Sequence, residues 1–265
     1  MNYPVINKLR KYFVILVTPC VTIASCSSPK KVYTIADAHS HNDYKNSIPF
    51  YRAYNDGFGS IEADVYAING RLLVAHDEEE VTPQRSLKIL YTDPLVEKLK
   101  QDTARRLRLL IEIKKDYTVT LPLVIEELKP LAQYLSYSGH PGRLSIVMTG
   151  KVPPPEVMTN YPDWMMFDLD HLDSTVYTKK QLAKVALVSL QFSLYSKWDG
   201  LSPIEKADVQ RLKRIIDTVH ALHKKIRFWD APDVPACWVQ LMKLHVDVIG
   251  TDHLDELAAF LKKKE

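Results

Sequence analysis

Three side chains that can bind a metal ion or move a proton alternate within one short stretch near the start of the sequence. In TIADAHSHNDY, residues 34–44, Asp37, His39 and His41 are spaced two residues apart. Successive side chains of a β-strand point to opposite faces, so a strand here would direct all three to one side. The pattern fits a metal site, an acid/base site, or a polar loop whose histidines are only hydrogen-bonded.

Carboxylates occur at the ends of two later apolar stretches. In SIEADV, Glu62 and Asp64 share one face of a predicted strand, and LLIEIKK places Glu112 and Lys114 on one face in the same way. Converging carboxylates repel one another unless a cation lies between them, and such oxygen ligands suit Mg²⁺ or Ca²⁺. We therefore predict one divalent cation, Mg²⁺ or Ca²⁺, bound by Glu62, Asp64 and Glu112. Lys114 would add positive charge for an anionic substrate, although Glu112 and Lys114 are equally compatible with an ordinary ion pair at the rim.

Two further residues are candidates for the same site. His76 ends the stretch LLVAHDEEE, and the pKa of an imidazole lies close enough to neutrality for general acid/base catalysis. The alternative is a solvated histidine in a surface turn. Trp229, in RFWDAPD, is predicted to form an apolar wall for a substrate, and core packing is the equally open alternative.

Eight apolar stretches alternate with helical patterns along the chain. The predicted strands cover residues 32–38, 59–65, 106–113, 143–149, 164–170, 185–192, 225–231 and 246–252. The predicted helices cover residues 47–56, 94–103, 119–137, 154–160, 178–184, 203–223, 234–244 and 254–263. Strands that alternate with helices over this length indicate a parallel sheet, and eight such units indicate a closed (β/α)₈ barrel.

An additional apolar run, RLLVAH at 71–76, follows Asn69 and Gly70. This dipeptide is typical of a two-residue hairpin turn. The predicted fold is therefore α/β, a single (β/α)₈ TIM barrel over residues 32–265 with a small β-hairpin after the second strand. Catalytic groups in this fold lie at the carboxyl ends of the strands, which is where the candidate residues occur.

The first 25 residues have the pattern of a signal peptide, with Lys8, Arg10 and Lys11 before a short apolar run. The sequence IASC, residues 23–26, resembles a bacterial lipobox in which Cys26 is lipidated. We predict a signal peptide at 1–25, a lipidated tether at 26–31 and a location in the bacterial cell envelope, with the membrane contacted through the lipid anchor. An uncleaved anchor helix is the alternative.

The charge of the chain gives no reason to expect a nucleic-acid partner. The formal net charge is +3, and removal of the three basic residues of the signal segment would leave 32 basic and 32 acidic residues. After lipidation of Cys26 and loss of Cys20, Cys237 would be the remaining cysteine, so no internal disulfide could form. We expect a monomer that binds a small molecule or a lipid.

The order AHSHN, SIEADV, LLVAHD and LLIEIK resembles the superfamily of glycerophosphodiester phosphodiesterases, whose relatives include sphingomyelinases D and phosphatidylinositol-type phospholipases C. RFWDAPD at 227–233 and VDVIGTDHLDEL at 246–257 are similar to the closing strands of these proteins. The resemblance implies a metal-dependent phosphodiesterase, a phosphoric diester hydrolase that acts on a small-molecule or lipid phosphodiester. In such an enzyme His39 and His76 would act jointly as acid and base. AHSHN also resembles the His-x-x-Asn of sphingomyelinase D. This likeness favours His39 over His41 as the catalytic histidine and adds Asn42 as a substrate-binding residue.

The chain departs from that pattern in two places. Ser40 and His41 replace the usual Arg-Gly, so the phosphate-binding arginine is missing there, and Lys45, Asn46 and Ser47 replace the usual Glu-Asn-Thr. Both changes argue against glycerol phosphate as part of the substrate. They leave the carboxylates and histidines of the pattern in place.

Two alternative functions are compatible with the sequence. Asp37, His39 and His41 resemble the D-x-H-x-H opening of hydrolases that bind two or three transition-metal ions, with His171 and His253 as further ligands. The second alternative is a non-catalytic ligand-binding lipoprotein that has lost its phosphate arginine.

Overall fold

The structure, a computed structural model, describes residues 31–172 and 177–263. From Val32 onward the chain forms one compact unit built on parallel strands. The strands are β1 (Ala38–Ser40), β2 (Ser60–Ile68), β3 (Arg71–Val74), β4 (Leu107–Ile113), β5 (Leu144–Gly150), β6 (Met165–Leu169), β7 (Val185–Gln191), β8 (Lys225–Trp229) and β9 (Ile249–Thr251).

One helix follows each strand of the barrel. The helices are α1 (Tyr51–Asp56), α2 (Asp93–Gln101), α3 (Tyr117–Glu127), α4 (Pro155–Met158), α5 (Lys179–Ala183), α6 (Lys206–Ala221), α7 (Pro235–Lys243) and α8 (Leu254–Lys262). Their apolar faces and the outer faces of the strands form the main hydrophobic core. No described helix is both long enough and apolar enough to cross a bilayer.

The parallel strands pair in the order β8-β7-β6-β5-β4-β2-β1-β9. A parallel bridge between Arg227 and Val248 connects the two ends of this order, and the backbone N–H groups of Asp247 and Val248 donate to the carbonyl of Ile226. The eight parallel strands therefore form a nearly closed barrel, which confirms the predicted (β/α)₈ fold. The predicted hairpin is also present, because β3 pairs antiparallel with β2.

The first strand differs from the prediction. Residues 35–37 form a 3₁₀ turn, and β1 begins only at Ala38. The N–H of Asp37 donates to the carbonyl of Thr34, and the N–H of Thr34 donates to the Asp37 carboxylate at 3.0 Å. These local hydrogen bonds replace strand pairing, so Asp37 lies in the turn before the strand and not on the face that carries His39.

The predicted helix 119–137 is also interrupted. Helix α3 ends at Glu127, and residues 129–134 continue as a 3₁₀ helix that contains Pro130. Pro130 has no N–H with which to continue α3, and it lies in the first turn of the new helix, where no intrahelical N–H is needed.

Candidate active site

Three carboxylates lie together on neighbouring strands, two on the part of β2 that pairs with β4 (residues 60–65) and one near the carboxyl end of β4. Asp64 pairs directly with Glu112 in the strand register, and Glu62 lies two residues before Asp64 on the same face. One oxygen from each of Glu62, Asp64 and Glu112 lies within 4.8 Å of the others. The structure thus brings together the three residues that the sequence singled out as metal ligands.

Asp64 carries an oxygen that the protein does not satisfy. Its Oδ2 accepts hydrogen bonds from the hydroxyl of Tyr44 at 2.7 Å and from Nζ of Lys114 at 3.1 Å. Its Oδ1 is buried and has no hydrogen-bond partner among the described residues. Burial, followed by the negative charges of Glu112 and Glu62, raises the pKa of Asp64 to about 7. A divalent cation would pair with this unsatisfied oxygen and reduce the repulsion among the three carboxylates. These residues therefore fit such an ion.

Lys114 is the ammonium group of this cluster. Its Nζ lies 3.1 Å from Oδ2 of Asp64 and 3.1 Å from Oε1 of Glu112. Burial lowers the pKa of Lys114, but the two carboxylates outweigh this effect and the net shift is upward. Lys114 is therefore a cation under all ordinary conditions.

Glu62 is held by two neighbours inside the barrel. Its Oε2 lies 2.6 Å from Nε2 of His39 and 3.2 Å from Nη2 of Arg227, and all three residues are buried. Burial alone would raise the pKa of Glu62, but the charge of Arg227 and the hydrogen bond to His39 lower it below the usual range. Glu62 is therefore an oriented carboxylate anion.

His39 has a partner at each ring nitrogen. Besides its contact with Glu62, its Nδ1 lies 2.8 Å from the hydroxyl of Ser60. Burial and, next, the charge of Arg227 lower the pKa of His39 to about 3, so its ring is neutral. A neutral ring donates from Nε2 to Glu62 and accepts the Ser60 hydroxyl at Nδ1. Neither nitrogen of His39 is open to a substrate in this arrangement.

His41, by contrast, lines a cleft of about 660 Å³ at the carboxyl end of the barrel. Its Nδ1 lies 3.0 Å from Oδ1 of Asp252, which follows β9. Burial opposes protonation of His41, but the hydrogen bond to Asp252 and the charge of Glu62 raise its pKa overall. His41 is thus an accessible imidazole that a carboxylate orients.

Asn42 and Tyr44 connect the cleft to the carboxylates. Asn42 adopts a left-handed backbone conformation, with φ of 48°, and its amide donates to Oδ1 of Asp252 at 3.2 Å. The hydroxyl of Tyr44 lies 2.7 Å from Oδ1 of Asn42 and 2.7 Å from Oδ2 of Asp64. The loop after β1 therefore contributes to both the cleft and the carboxylate cluster.

His76 lies at the rim on the side of β2. Tyr66, two residues after Asp64 on the same strand face, donates its hydroxyl to the backbone carbonyl of His76 at 3.1 Å. The imidazole itself is 43% exposed, and its Nδ1 lies 3.1 Å from Oδ1 of Asp77. The structure thus places the backbone of His76 beside Tyr66, with its side chain in contact with solvent and outside the lining of the cleft next to His41.

The wall of the cleft is aromatic on one side. Trp229 is 38% exposed there, so its indole lies in the cleft and is not packed between barrel and helices. Other residues that line the cleft are Phe192, Ser193, Ser196, Lys197, Trp198, Asp199, Phe228 and Asp230. The cleft combines apolar surface with charged groups next to His41.

Sequence reasoning missed two members of the site, Tyr44 and Arg227. Tyr44 belongs to the same HSHNDY stretch as the histidines, which was the available signal. Arg227 precedes Trp229 by two residues on β8, so the alternation of side chains places both on the inner face. A count of strand-end carboxylates alone does not reveal either residue.

The residues required for a polynuclear metal site are not gathered. Asp37 caps the turn before β1, and His171 is exposed and paired with Asp170. His253 lies at the start of α8. Within residues 31–172 and 177–263, the carboxylate trio is the only such group of metal-binding side chains.

Comparison with known proteins shows which family has a similar sequence. A family model described as an AIM6-like phosphodiesterase domain matches residues 29–106, a range that includes His39, His41, Glu62, Asp64 and His76. Altered inheritance of mitochondria protein 6 of Kluyveromyces lactis is 30% identical, over 86% of this chain and 73% of that protein. The chain belongs to the altered inheritance of mitochondria protein 6 family. A homologue from Arthroderma benhamiae is 28% identical over 82% of this chain and 81% of its own length.

Among solved structures, the chain is similar to the tryptophan synthase α-subunit of Pyrococcus furiosus. The sequence identity is 13% and the TM-score 0.44, with 88% of this chain and 97% of that chain covered.

Membership in the altered inheritance of mitochondria protein 6 family supports a phosphodiesterase-like protein. This membership does not place the chain in the superfamily of glycerophosphodiester phosphodiesterases and phospholipases C that its sequence resembles.

The prediction of a bacterial lipoprotein is wrong. The relatives reported above come from fungi, so the prediction of a signal peptide, a lipid anchor and a bacterial cell-envelope location is withdrawn, together with the membrane as a partner. Cys26 and the segment 1–25, on which this prediction depended, lie outside the described residues.

Proposed function

We propose that this protein is a metal-dependent phosphodiesterase that hydrolyses a phosphodiester in the cleft beside His41. One observation carries the proposal: Glu62, Asp64 and Glu112 converge within 4.8 Å, and one buried oxygen of Asp64 has no donor. Such a set of oxygen ligands suits one Mg²⁺ or Ca²⁺ ion. When bound, the ion would supply Lewis-acid stabilisation of a phosphoryl oxygen.

The cationic side chains have separate roles in this proposal. Lys114, beside Asp64 and Glu112, stabilises negative charge that develops on the phosphoryl group. Arg227 neutralises Glu62 and keeps its carboxylate oriented. The positive charge that Ser40 lacks relative to the resembled enzymes is thus compensated from within the barrel.

His41 is the proposed general acid. Asp252 holds its Nδ1 and raises its pKa, which favours the protonated ring that can give a proton to the leaving alkoxide. His39, which the resemblance favours, instead orients Glu62, because both of its nitrogens are engaged. His76, whose imidazole is in contact with solvent, is the proposed base that takes a proton from the water that attacks the phosphorus.

The alcohol part of the substrate would contact Trp229, and Asn42 would hold the loop that borders the phosphoryl site. A glycerophosphodiester or a phospholipid head group satisfies this arrangement. Both have an anionic diester and an alcohol large enough to contact an aromatic wall.

The test is turnover of a panel of phosphodiesters with added Mg²⁺ or Ca²⁺, together with the metal content of the protein. We expect one bound ion and metal-dependent release of an alcohol from glycerophosphodiesters, lysophospholipids or inositol lipids. The variant Asp64→Ala should lose both the bound ion and turnover, whereas Asp163→Ala, which changes an exposed aspartate, should retain both. Binding without turnover of any diester would instead identify a non-catalytic ligand-binding protein.

A further inference from the structure

A second cavity lies at the other end of the barrel, where the strands begin. Its volume is about 440 Å³, which is within the range of small-molecule sites. Arg108 at the start of β4, Ser145 at the start of β5 and Lys225 at the start of β8 line this cavity. The remaining lining residues are Ser136, Tyr137, Ser138, Val147, Asp163, Met166, Ala183, Lys184 and Ala186.

Arg108 is the unusual group of this cavity. Its inward direction follows from alternation along β4, since Leu110 and Glu112 share its face. The Nε of Arg108 is buried without a hydrogen-bond partner, and its guanidinium forms no hydrogen bond or ion pair within the described ranges. Buried donors are almost always satisfied, because an unpaired charged group inside a protein is costly. The negative charges of Asp168 and Asp247 act on Arg108 from nearby, but neither carboxylate accepts a hydrogen bond from its Nε, which is left without an acceptor among the described residues.

The charges around the cavity are mostly positive. Arg108, Lys184 and Lys225 contribute three cations, against one carboxylate from Asp163. Lys184 is already engaged, since its Nζ donates to the carbonyls of Tyr161 and Pro162. The lining itself thus carries a net positive charge, which favours an anionic ligand, and the carboxylates of Asp168 and Asp247 near Arg108 offset part of this charge.

Hydroxyl groups and apolar side chains complete the lining. Ser145 is the direct register partner of Arg108, so its hydroxyl lies beside the guanidinium. Val147 and Met166 are register partners on the neighbouring strands and form part of the apolar surface. A ligand for this cavity needs an anionic head for Arg108 and an apolar body for the opposite side.

We propose that this cavity binds a small organic oxyanion, with its carboxylate or phosphoryl oxygens on Arg108 and Ser145 and its apolar part against Val147 and Met166. Guanidinium groups bind both kinds of oxyanion through paired N–H donors. The site is separate from the candidate active site, which lies at the carboxyl ends of the strands. The inference therefore does not depend on the proposed phosphodiesterase activity.

The experiment is calorimetric titration of the full chain with benzoate and with phenylphosphonate, and benzamide serves as the uncharged analogue. We expect both anions to bind and benzamide to bind far more weakly. The variant Arg108→Met should weaken anion binding by about tenfold or more, because a charge-assisted pair of hydrogen bonds is lost. Stronger binding of phenylphosphonate than of benzoate would identify a phosphoryl ligand, and the reverse order a carboxylate.

The matched control is Arg214→Met, which changes an exposed arginine of α6 that does not line the cavity. It should bind the anions as the wild type does. If Arg108→Met fails to fold, Lys225→Met provides the second test, with a smaller but measurable loss of affinity. Absence of anion binding by the wild-type protein, or equal affinity of the Arg108 and Lys225 variants and the wild type, would overturn the proposal.

Discussion

At the scale of single residues, His39 in β1 and His41 just after it differ in protonation because their environments differ. His39 lies inside the barrel between Ser60 and Glu62, whereas His41, two residues later, reaches the cleft and Asp252. Burial disfavours the charged form of an imidazole, and a carboxylate partner favours it. The pKa values of the two rings therefore shift in opposite directions, and only His41 is suited to deliver a proton to a substrate.

The first prediction concerns the catalytic histidines. In the phosphodiesterase assay, His41→Ala and His76→Ala should each lower turnover by about 10²–10⁴, the usual contribution of a general acid or base, without loss of the bound ion. His171→Ala, at an exposed position, is the control and should leave turnover unchanged. Full activity of either His41→Ala or His76→Ala would remove that residue from the mechanism.

The second prediction is a pH dependence. Asp252 raises the pKa of His41, so the protonated acid persists to higher pH and activity is lost as the pH rises through that value. Asp252→Asn removes the carboxylate and should move the alkaline limb of the kcat profile to lower pH. An unshifted alkaline limb in this variant would mean that another group controls it.

Asp168 supports a third prediction, on stability. It is buried, its Oδ1 has no partner among the described residues, and burial raises its pKa from 3.8 to about 6. Between these values the folded state binds more protons than the unfolded state, so stability falls as the pH rises through this window. Asp168→Asn should therefore raise the free energy of unfolding by about 1–3 kcal/mol at about pH 8 and leave it nearly unchanged at about pH 4.

The measurement is urea unfolding at the two pH values. Asp163→Asn, at an exposed position, is the control and should show no such gain. A variant Asp168→Asn that is less stable than the wild type at alkaline pH would indicate that the ionised carboxylate has a partner in solution.

At the scale of elements, the position of β1 depends on its contact with the segment before β2. Gly59 lies against the backbone of the 3₁₀ turn 35–37, where an added Cβ would lie 1.9 Å from the carbonyl oxygen of Ala36. This close approach brings β1 into register with β2, so that His39 lies beside Ser60. A glycine at this position therefore determines where the first histidine enters the barrel.

The fourth prediction tests this contact. Gly59→Ala should lower the free energy of unfolding by about 2–4 kcal/mol, since the clash is with backbone that cannot move aside cheaply. Gly70→Asn is the control, because Gly70 has φ of 73° with no neighbour within 4 Å of an added Cβ, and asparagine tolerates this conformation. Equal stability of Gly59→Ala and the wild type would show that the turn 35–37 can shift.

At the scale of the whole molecule, the barrel brings carboxylates from separate strands to one edge, where they repel each other. Glu112 and Glu62 both contribute to the raised pKa of Asp64. The folded protein therefore holds an electrostatic strain that the unfolded chain, with its carboxylates apart, does not have. A cation that binds only the folded state relieves this strain and stabilises the fold.

The fifth prediction follows from this linkage. Mg²⁺ or Ca²⁺ at about 100 times its Kd should add about 2.7 kcal/mol to the free energy of unfolding, and the Tm should rise with the ion concentration. NaCl at matched ionic strength controls for screening, and Asp64→Ala should show no specific gain. A Tm that responds equally to NaCl and to the divalent ions would contradict the metal site.

The sequence by itself determined the order of the elements and the composition of the carboxylate cluster. Apolar stretches that alternate with helical patterns specify a (β/α)₈ barrel, and in such a barrel the strand ends of β2 and β4 must meet at one edge. Glu62, Asp64 and Glu112 could therefore be predicted as neighbours. The spacing of two residues places Glu62 and Asp64 on one face of their strand. The barrel fold then brings this face next to Glu112 on the neighbouring strand.

Only the tertiary structure decided which groups face a substrate. Asp37 and His39 have the same spacing as His39 and His41, but Asp37 bonds to Thr34 in a turn, and His39 is enclosed by Ser60 and Glu62. Arg227 reaches Glu62 from β8, across the barrel and far along the chain. Such choices depend on strand register, burial and the balance of desolvation against pairing, which are properties of the packed barrel and not of any single segment.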